Sequence, residues 1–341
     1  GNLTVTGRLL LNDGSNNVVV GTGGAGGATS GNDSNTIVGY QAGCSVTTGD
    51  NSTLLGRCAG GATTSGASLV AVGLNALAAN TTASGLVAVG RAALQFNTTG
   101  ASNTAVGYYS LYANTTGCCN TAVGDSSLQN NTTGSFNTAT GKSALAANTT
   151  AGYNTGVGYQ SLKANTTGTN NAAFGQQALA ANTTGGCNTA VGGGALALNT
   201  TGSQNAGLSR SALENNSTGC YNTASGACAL RYNTTGCYNT ATGFTSLYTN
   251  TTGIRNTSSG FYAMLYNTTG NNNTAFGGRA LQANTTAANN TASGYSALRA
   301  TTTGHSNTAS GYYVLGKNTT GYRNTASGFR ALCGNTTGCF N

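Results

Sequence analysis

Proline and tryptophan are absent from this 341-residue chain, which contains a single histidine and a single methionine. Asp, Glu, Lys and Arg together make up only 5% of it, whereas an ordinary soluble domain carries about 25%. An active site needs several ionisable groups converging on one pocket, and this sequence has few of them to place. The composition therefore argues against an enzyme, and it predicts no metal site and no cofactor.

Long apolar runs and clusters of like charge are also missing. No stretch approaches the roughly 20 apolar residues of a membrane helix, and the first residues do not resemble an export leader. The 13 basic and 5 acidic residues give a net charge of +8, but the Lys and Arg residues are thinly spread. Nucleic acid backbones are bound by clustered Lys and Arg, so we expect neither nucleic acid binding nor membrane insertion.

What the chain does contain is a repeat of 17 residues. Rows of 17 that begin at Asn35 continue without insertion or deletion to residue 340, which gives 18 full rows. The common row is N-T-A-x-G-x-x-A-L-x-x-N-T-T-G-x-x, and its positions are numbered here as columns one to seventeen. Two complete rows are NTAVGYYSLYANTTGCC (103–119) and NTAVGDSSLQNNTTGSF (120–136). A repeat of this kind is typical of solenoid proteins.

The columns with a fixed residue type predict the structure of one coil. Column five is glycine in 17 of 18 rows and column fifteen in 15, and a recurrent glycine marks a positive φ or closely crowded backbones. Column nine is leucine in 15 rows, and columns three and eight are nearly always small, which predicts a narrow core with one large side chain per coil. Columns six, seven, ten, eleven, sixteen and seventeen vary and are expected to face solvent.

Together these columns predict an all-β fold, an elongated parallel β-solenoid (β-roll) of 18 coils with one coil per 17-residue row. Columns two to four form a short strand, followed by a glycine corner, an Ala-Leu turn, an asparagine corner, a Thr-Thr strand and a second glycine corner. One row cannot bury its own leucine, but stacked rows can. We therefore expect Leu111, Leu128, Leu145 and Leu162 to lie in one buried row.

Column twelve is asparagine in 15 rows, and two interpretations of it compete. Asparagine side chains stacked in register about 4.8 Å apart can hydrogen-bond to one another as a ladder. The same residues begin N-T-T or N-S-T sequons, which are acceptors for glycosylation, but a buried asparagine cannot carry a glycan. The candidate glycosylation sites are Asn80, Asn97, Asn114, Asn131, Asn148, Asn165, Asn182, Asn199, Asn216, Asn233, Asn250, Asn267, Asn284, Asn318 and Asn335.

Other chemically notable residues are scattered along the chain. A G-x-G-x-x-G motif at residues 21–26 follows an apolar run, but no helix pattern comes after it, so we interpret it as a flexible connector rather than a dinucleotide site. His305 lies in a variable column, five coils from the nearest upstream acidic residue, Glu214, and is expected at the surface. Cys220 and Cys237 share column sixteen in adjacent coils, which allows a disulfide, although exposed free thiols are the preferred interpretation.

Residues 1–34 lie outside the 17-residue register and are predicted to form a separate N-terminal junction or cap, with the solenoid spanning residues 35–341. LTVTGRLLL and NNVVVG in this segment indicate short strands, and a glycine-rich connector follows. Asn341 begins a nineteenth row, so we expect an open strand edge there. Because unpaired edges recruit other chains, the sequence predicts self-association, either side by side or end to end through residues 1–34.

Side-by-side association predicts an apolar column on the outside of the coils. Column four is the candidate for this contact in the first half of the chain: Val38, Val72, Val89, Val106 and Val123. Toward the C-terminus the column becomes polar at Ser225, Ser259, Ser293, Ser310 and Ser327. Lateral contact is therefore expected to weaken along the chain.

The row N-T-A-V-G-Y-x-(A/S)-L-x-x-N-T-T-G resembles repeats of bacterial and phage tail-fibre-like proteins, as does the opening GNLTVTG. It is similar, more distantly, to the head repeats of trimeric autotransporter adhesins, whose coils read N-S-V-A-I-G. The 17-residue period and the leucine column depart from the adhesin pattern. The resemblance covers residues 35–341 and implies surface-exposed trimeric fibres of left-handed parallel β-rolls that are often used for attachment.

The sequence thus favours a non-catalytic, extracellular or surface-exposed fibre or adhesin shaft that assembles with copies of itself, as a homotrimer or an end-to-end filament. A cell-surface or glycan receptor is a further candidate partner. The alternative is a solenoid face that binds ice or carbohydrate, for which stacked threonines would have to point outward on a flat surface. The column-six aromatics that could stack on sugars are Tyr108, Tyr159, Phe244, Phe261, Tyr295, Tyr312 and Phe329.

Overall fold

The computed structural model describes residues 8–11, 16–23 and 34–341, and every regular element among them is a β-strand. β1 pairs with β2 in the antiparallel direction, and β2 pairs with β3 in the parallel direction. The strands are β1 (Arg8–Leu11), β2 (Val18–Gly21), β3 (Thr36–Val38), β4 (Thr53–Leu55), β5 (Leu69–Val72), β6 (Leu86–Val89), β7 (Thr104–Val106), β8 (Thr121–Val123), β9 (Thr138–Thr140), β10 (Thr155–Val157), β11 (Ala172–Phe174), β12 (Thr189–Val191), β13 (Ala206–Leu208), β14 (Thr223–Ser225), β15 (Thr240–Thr242), β16 (Thr257–Ser259), β17 (Thr274–Phe276), β18 (Thr291–Ser293), β19 (Thr308–Ser310) and β20 (Thr325–Ser327).

The chain divides into two compact units, Gly1–Asn170 and Asn171–Asn341. The first unit contains β1–β10 and the second contains β11–β20. Within each unit, neighbouring strands of the repeat pair in parallel, so that Thr121 lies beside Thr138 and Thr240 lies beside Thr257. The predicted all-β parallel solenoid, with one coil per 17-residue row, is confirmed.

The predicted boundary between residues 34 and 35 is not a break in the sheet. β2 pairs in parallel with β3, and the backbone N–H of Asn35 donates to Oδ1 of Asn17 at 2.8 Å, as the equivalent groups do in later coils. β2 therefore belongs to the stacked sheet even though it lies in the segment that the sequence assigned to a junction or cap. Most of the glycine-rich connector, residues 24–33, lies outside the described residues.

The core of each coil is narrow, as the column pattern predicts. Side chains alternate across a strand, so column three points inward from the middle of each strand and columns two and four point outward. Leu111, Leu128, Leu145 and Leu162 are all 0% exposed. The backbone N–H of Leu128 donates to the carbonyl of Ala144 in the next coil at 2.9 Å. The predicted buried row of leucines is confirmed.

The column-nine leucines have a backbone conformation that the sequence does not suggest. From Leu77 to Leu332, with Met264 included, φ at this column lies between 46° and 54°. This left-handed conformation costs an L-residue about 1–2 kcal/mol, and full burial of a leucine side chain contributes about 1.5–3 kcal/mol. Burial therefore offsets the strain. Columns seven and seventeen also have positive φ, as at Ser126 (58°) and Phe136 (61°).

In the first two coils of the repeat, the large core side chain comes from the strand and not from the turn that carries column nine. Gly43 and Gly60 occupy column nine there, while Ile37 and Leu54 occupy column three, where most later coils have alanine. A Cβ on Gly60 would lie only 2.9 Å from Cδ2 of Leu54. The large core side chain has thus moved from column nine to column three in these two coils. The next two coils bury two leucines each, Leu69 with Leu77 and Leu86 with Leu94, so the prediction of one large side chain per coil is wrong there.

The column-five glycines are required both by their backbone conformation and by crowding. Their φ lies between 115° and 140°, where residues with a side chain are strained. A Cβ on Gly124 would lie 2.7 Å from the carbonyl carbon of Gly141 in the next coil. Ser209 is the single exception in this column, and it retains a φ of 134°.

Ser209→Gly is expected to stabilise the chain by about 1 kcal/mol, because it removes a strained side chain from the corner that glycine fills elsewhere. Chemical unfolding followed by circular dichroism measures the change. Ser65→Gly is the control, since Ser65 is exposed and its φ is not positive. There the added freedom of the unfolded chain should leave stability unchanged or lower. Destabilisation by Ser209→Gly would contradict the strain argument.

Candidate functional site

Column twelve forms the asparagine ladder that the sequence offered as one of its two interpretations. Nδ2 of Asn131 donates to Oδ1 of Asn114 at 2.8 Å, and Nδ2 of Asn148 donates to Oδ1 of Asn131 at 2.8 Å. All three side chains are 0% exposed. Buried amides of this kind stabilise a fold only when they are paired, and here each one pairs with the next coil.

A second ladder, in column one, is a feature that the sequence analysis missed. The backbone N–H and Nδ2 of Asn137 both donate to Oδ1 of Asn120, at 2.9 and 3.2 Å. Nδ2 of Asn137 also donates to the carbonyl of Ala151 at 2.9 Å, and the same carbonyl accepts from Nδ2 of Asn148 at 2.9 Å. The two ladders therefore share the column-fifteen carbonyl. The signal for this ladder was the asparagine that begins most rows.

The ladder leaves no room for glycans on column twelve. Both hydrogens of the Asn131 amide are used, because Nδ2 donates to Oδ1 of Asn114 at 2.8 Å and to the carbonyl of Gly134 at 2.9 Å. A glycan would replace one of these hydrogens inside the core, so the glycosylation interpretation does not fit the folded coil. The candidate sites that are 0% exposed are Asn80, Asn97, Asn114, Asn131, Asn148, Asn165, Asn182, Asn199, Asn216, Asn233, Asn250, Asn267, Asn284 and Asn318. Asn335, in the last row, is only half-buried.

We expect these buried sequons to remain unmodified when the chain is expressed in a eukaryotic secretory pathway. The chain supplies its own controls, because within the described ranges four further sequons begin at exposed residues: Asn51, Asn130, Asn272 and Asn289. Peptide mass mapping should find glycans on those four residues and none on the fully buried column-twelve residues. Full occupancy of a buried sequon such as Asn131 in folded protein would contradict the ladder.

The ladder of the second unit is interrupted at Thr301, which occupies column twelve. Oγ1 of Thr301 is buried without a hydrogen-bond partner, and so is Oδ1 of Asn284 in the preceding coil. Elsewhere that oxygen accepts from the next asparagine. A buried polar atom without a partner costs about 1–3 kcal/mol, so this coil is a weak point in the stack.

Thr301→Asn is expected to raise the free energy of unfolding by about 1–3 kcal/mol, since it supplies a donor to Oδ1 of Asn284. The new Nδ2 would also reach the carbonyl of Gly304, as its equivalents do in other coils. Denaturant unfolding provides the measurement. Thr303→Asn, at an exposed position two residues on, should change little. A less stable Thr301→Asn protein would show that the gap does not accept an amide.

All ten cysteines are free thiols. The disulfide considered between Cys220 and Cys237 is not formed: the backbone N–H of Cys220 donates to Sγ of Cys237 at 3.1 Å. Each thiol instead faces a carbonyl of its own coil, Thr218 for Cys220 and Thr235 for Cys237, at 3.4 Å. The two side chains lie side by side and point the same way along their coils.

His305 is exposed, as expected. Its ring stacks on Tyr322 with centroids 5.0 Å apart, and Nδ1 lies 3.2 Å from Oγ of Ser306.

Nowhere in the described ranges do three or more His, Cys, Asp or Glu side chains come together as a metal site. Of the G-x-G-x-x-G motif, Gly21 ends β2, Thr22 and Gly23 follow it, and residues 24–26 lie outside the described residues.

Two surface ion pairs link adjacent coils. Lys142 lies 3.4 Å from Asp125, and Arg231 lies 2.7 Å from Glu214. The hydrogen bond from Ser126 and the charge of Lys142 lower the pKa of the Asp125 carboxyl. Partial burial acts to lower the pKa of Arg231, but Glu214 outweighs it and the net shift is upward. Ion pairs at the surface contribute little to stability, but these two engage two of the chain's few carboxylates.

The C-terminal part of the second unit carries an excess of positive charge, although one of its cations, Arg231, is paired with Glu214. Residues 215–341 contain seven Lys or Arg residues and no Asp or Glu. The sequence places these residues far apart, but coil stacking brings some of them together. The seven are Arg231, Arg255, Arg279, Arg299, Lys317, Arg323 and Arg330.

Two of these cations border an open groove of about 580 Å³ on the surface of the second unit. The small residues Ala283, Ala300 and Gly316 line it, together with the larger side chains of Tyr266, Gln282, Arg299, Tyr313 and Lys317. Nε of Arg299 donates to Oε1 of Gln282 at 3.3 Å. The sequence analysis did not identify this group, because its members come from four different rows.

The outward aromatics of column six form short runs rather than a continuous track. Tyr295, Tyr312 and Phe329 stack in sequence, with centroids 5.7 and 5.4 Å apart. Asp125 and Lys142 interrupt the column in the first unit, and column six of the second unit begins with the non-aromatic residues Gln176, Gly193, Arg210 and Ala227. The aromatic surface therefore does not extend along either unit as a single sugar-binding stripe.

The threonine side chains of columns two, thirteen and fourteen point in different directions. Column thirteen is half-buried, and its hydroxyl donates to the next coil, as Oγ1 of Thr115 does to the carbonyl of Thr132 at 3.0 Å. Column fourteen is exposed, as at Thr116, and column two points outward from the strands, as at Thr240. Some threonines thus strengthen the stack while others present hydroxyls to solvent.

No protein-family model, curated protein or solved structure matches the chain. In the part of the chain that the structure describes, no helix has the length and apolar character needed to cross a membrane.

Proposed function

We propose that this protein is a structural, non-catalytic shaft at an extracellular surface that assembles with copies of itself. The observation that supports this most directly is the repeated bonding between coils within each unit. Strand pairing, two asparagine ladders and the column-thirteen hydroxyls all join one coil to the next, as at Asn131, Asn137 and Thr115. A stack held by such nearest-neighbour contacts is suited to a support or spacer.

Self-association is proposed through column four of the first unit. Val72, Val89 and Val106 are half-exposed on the outward face of their strands, and Leu55 and Val123 are 43% and 37% exposed. A continuous apolar stripe on a surface indicates a contact with another molecule. A second copy presents the same stripe, so the contact can repeat around a closed symmetric assembly. The resemblance to trimeric fibres suggests three copies.

Sedimentation equilibrium of the full chain at micromolar concentration tests this proposal, and it should give a mass above that of one chain. The triple variant Val72→Thr, Val89→Thr and Val106→Thr keeps side-chain size but adds hydroxyls to the stripe, and it should dissociate more readily. The matched control, Ser293→Thr with Ser310→Thr, changes column four of the second unit and should leave the mass unchanged. A monomeric full chain, or a triple variant that assembles like the original, would contradict the column-four contact.

A second candidate function, ice binding, is favoured by the outward threonines of the second unit. Column two is threonine in every strand from β14 to β20, and strands about 4.8 Å apart space the hydroxyls regularly. Phe276, which is 48% exposed, projects from the middle of this face and limits its flat area. We therefore prefer the shaft. Inhibition of ice recrystallisation that is lost in Thr291→Lys would favour ice binding instead.

A further inference from the structure

We propose that the groove between Tyr266 and Tyr313 binds an acidic polysaccharide, with Arg299 and Lys317 holding carboxylate groups of its sugars. This site is separate from the column-four contact, and it does not depend on whether copies of the chain assemble.

Charge is the first argument. Residues 215–341 contain no Asp or Glu that could neutralise Arg299 or Lys317. The carboxylate that immediately precedes this stretch, Glu214, is engaged by Arg231 at 2.7 Å. A concave surface lined by one sign of charge concentrates oppositely charged ligands, so the groove favours an anion.

The geometry of the cations is the second argument. The bond from Nε of Arg299 to Oε1 of Gln282 (3.3 Å) orients the guanidinium and does not use its Nη atoms. A planar guanidinium matches a carboxylate through two parallel hydrogen bonds. Lys317 comes from the next coil, about 4.8 Å further along the stack. Two successive acidic groups on one ligand can therefore be held.

The tyrosines and the small lining residues give the groove its shape. Tyr266 is 52% exposed, and the Tyr313 ring covers Gly316, where a Cβ would lie 2.6 Å from Cδ1 of the ring. The coils that carry the two tyrosines are three repeats apart, which is about 14 Å. The small side chain of Ala300 lets a ligand lie between them. The exposed face of Tyr266 at one end and the cations along the side fit a chain of several sugars, while the Tyr313 ring, which covers Gly316 and lies 6.0 Å from Cζ of Arg330, borders the other end.

Single-stranded nucleic acid is the competing polyanion, because bases also stack on aromatic rings. Nucleic acid binding, however, derives most of its affinity from many Lys and Arg contacts to phosphates. This groove offers two cations, Arg299 and Lys317. We therefore favour the polysaccharide, and we include an oligonucleotide in the test.

The experiment is affinity electrophoresis of the full chain in gels that contain polygalacturonate, neutral dextran or no polymer, with fluorescence titration to obtain affinities. Polygalacturonate should retard the chain, and added salt should weaken the effect. Dextran should not retard it, and oligo(dT) should bind more weakly than polygalacturonate. Absence of retardation by polygalacturonate, equal retardation by dextran, or tighter binding of oligo(dT) would overturn the proposal.

Variants locate the site. Arg299→Gln combined with Lys317→Gln should weaken polygalacturonate binding about tenfold or more, since two charge-assisted bonds are lost. Lys163→Gln combined with Arg210→Gln removes the same charge from exposed positions outside the groove, and it should change affinity by about twofold or less. Tyr266→Ala should also weaken binding. Equal losses in the two charge variants would show non-specific attraction and overturn the assignment, provided that unchanged thermal midpoints show that both proteins are folded.

Discussion

Leu145→Asp should lower the free energy of unfolding by more than about 3 kcal/mol, because it places a carboxylate without a partner in the narrow core. Leu145 is 0% exposed, and so are Leu128 and Leu162 in the coils on either side. Its backbone N–H donates to the carbonyl of Ser161 at 3.0 Å, which holds the residue in place in the stack. The side chain of an aspartate at this position cannot reach solvent without opening a coil.

Denaturant unfolding of the full chain, followed by circular dichroism, measures this loss. Thr150→Asp introduces the same charge five residues along in the same coil, at an exposed column-fourteen position, and should change stability by about 0.5 kcal/mol or less. Leu145→Ala should lower the free energy of unfolding by about 2–5 kcal/mol, because it leaves a cavity without adding charge. Similar losses in Leu145→Asp and Thr150→Asp would mean that column nine does not form the core.

The coil could be predicted because each of its requirements is repeated in the same column of nearly every row. The glycine of column five and the leucine of column nine each have one physical role, and 18 rows average out the exceptions. The positive φ of Leu145 (51°) could not be predicted in this way, since residue preference argues against leucine in that conformation. Only the packing of the closed coil shows that burial offsets the cost.

The first two coils show a second limit of column-by-column analysis. Gly43 and Gly60 look like defects in the leucine column, and Ile37 and Leu54 look like exceptions in the alanine column. They are one compensated change, because the side chains of columns three and nine fill the same space. Contacts between columns are a property of the coil cross-section, which a repeat period alone does not define.

The candidate groove was beyond prediction for a different reason. Arg299 and Lys317 are 18 residues apart in a sequence whose charges are sparse, and Tyr266 lies further away still. A 17-residue coil turns such separations into neighbouring positions. Knowledge of the period was therefore sufficient to compare columns, but the shape of the groove also depends on the small lining residues Ala283 and Gly316, which lie in variable columns.

Asn131→Ala is expected to cost about 3 kcal/mol or more, although it removes only an uncharged amide. Three hydrogen bonds disappear: those from Nδ2 of Asn131 to Oδ1 of Asn114 and to the carbonyl of Gly134, and the one that Oδ1 of Asn131 accepts from Asn148. The Gly134 carbonyl keeps its donor from Asn120 at 2.9 Å. Oδ1 of Asn114 and one hydrogen of the Asn148 amide are left buried without partners, and each costs about 1–3 kcal/mol.

The adjacent residue supplies a closely matched control, because Asn130 has the same side chain but is exposed. Asn130→Ala should change the free energy of unfolding by about 0.5 kcal/mol or less, while Asn131→Ala destabilises the chain severely. Amide hydrogen exchange should also show faster opening at the coils that contain Asn114 and Asn148, since they lose ladder partners, than at coils further along the same unit. If both alanine variants were equally stable, the ladder would contribute nothing beyond packing. The buried amides of column twelve would then have to be explained by the space they fill rather than by the bonds they form.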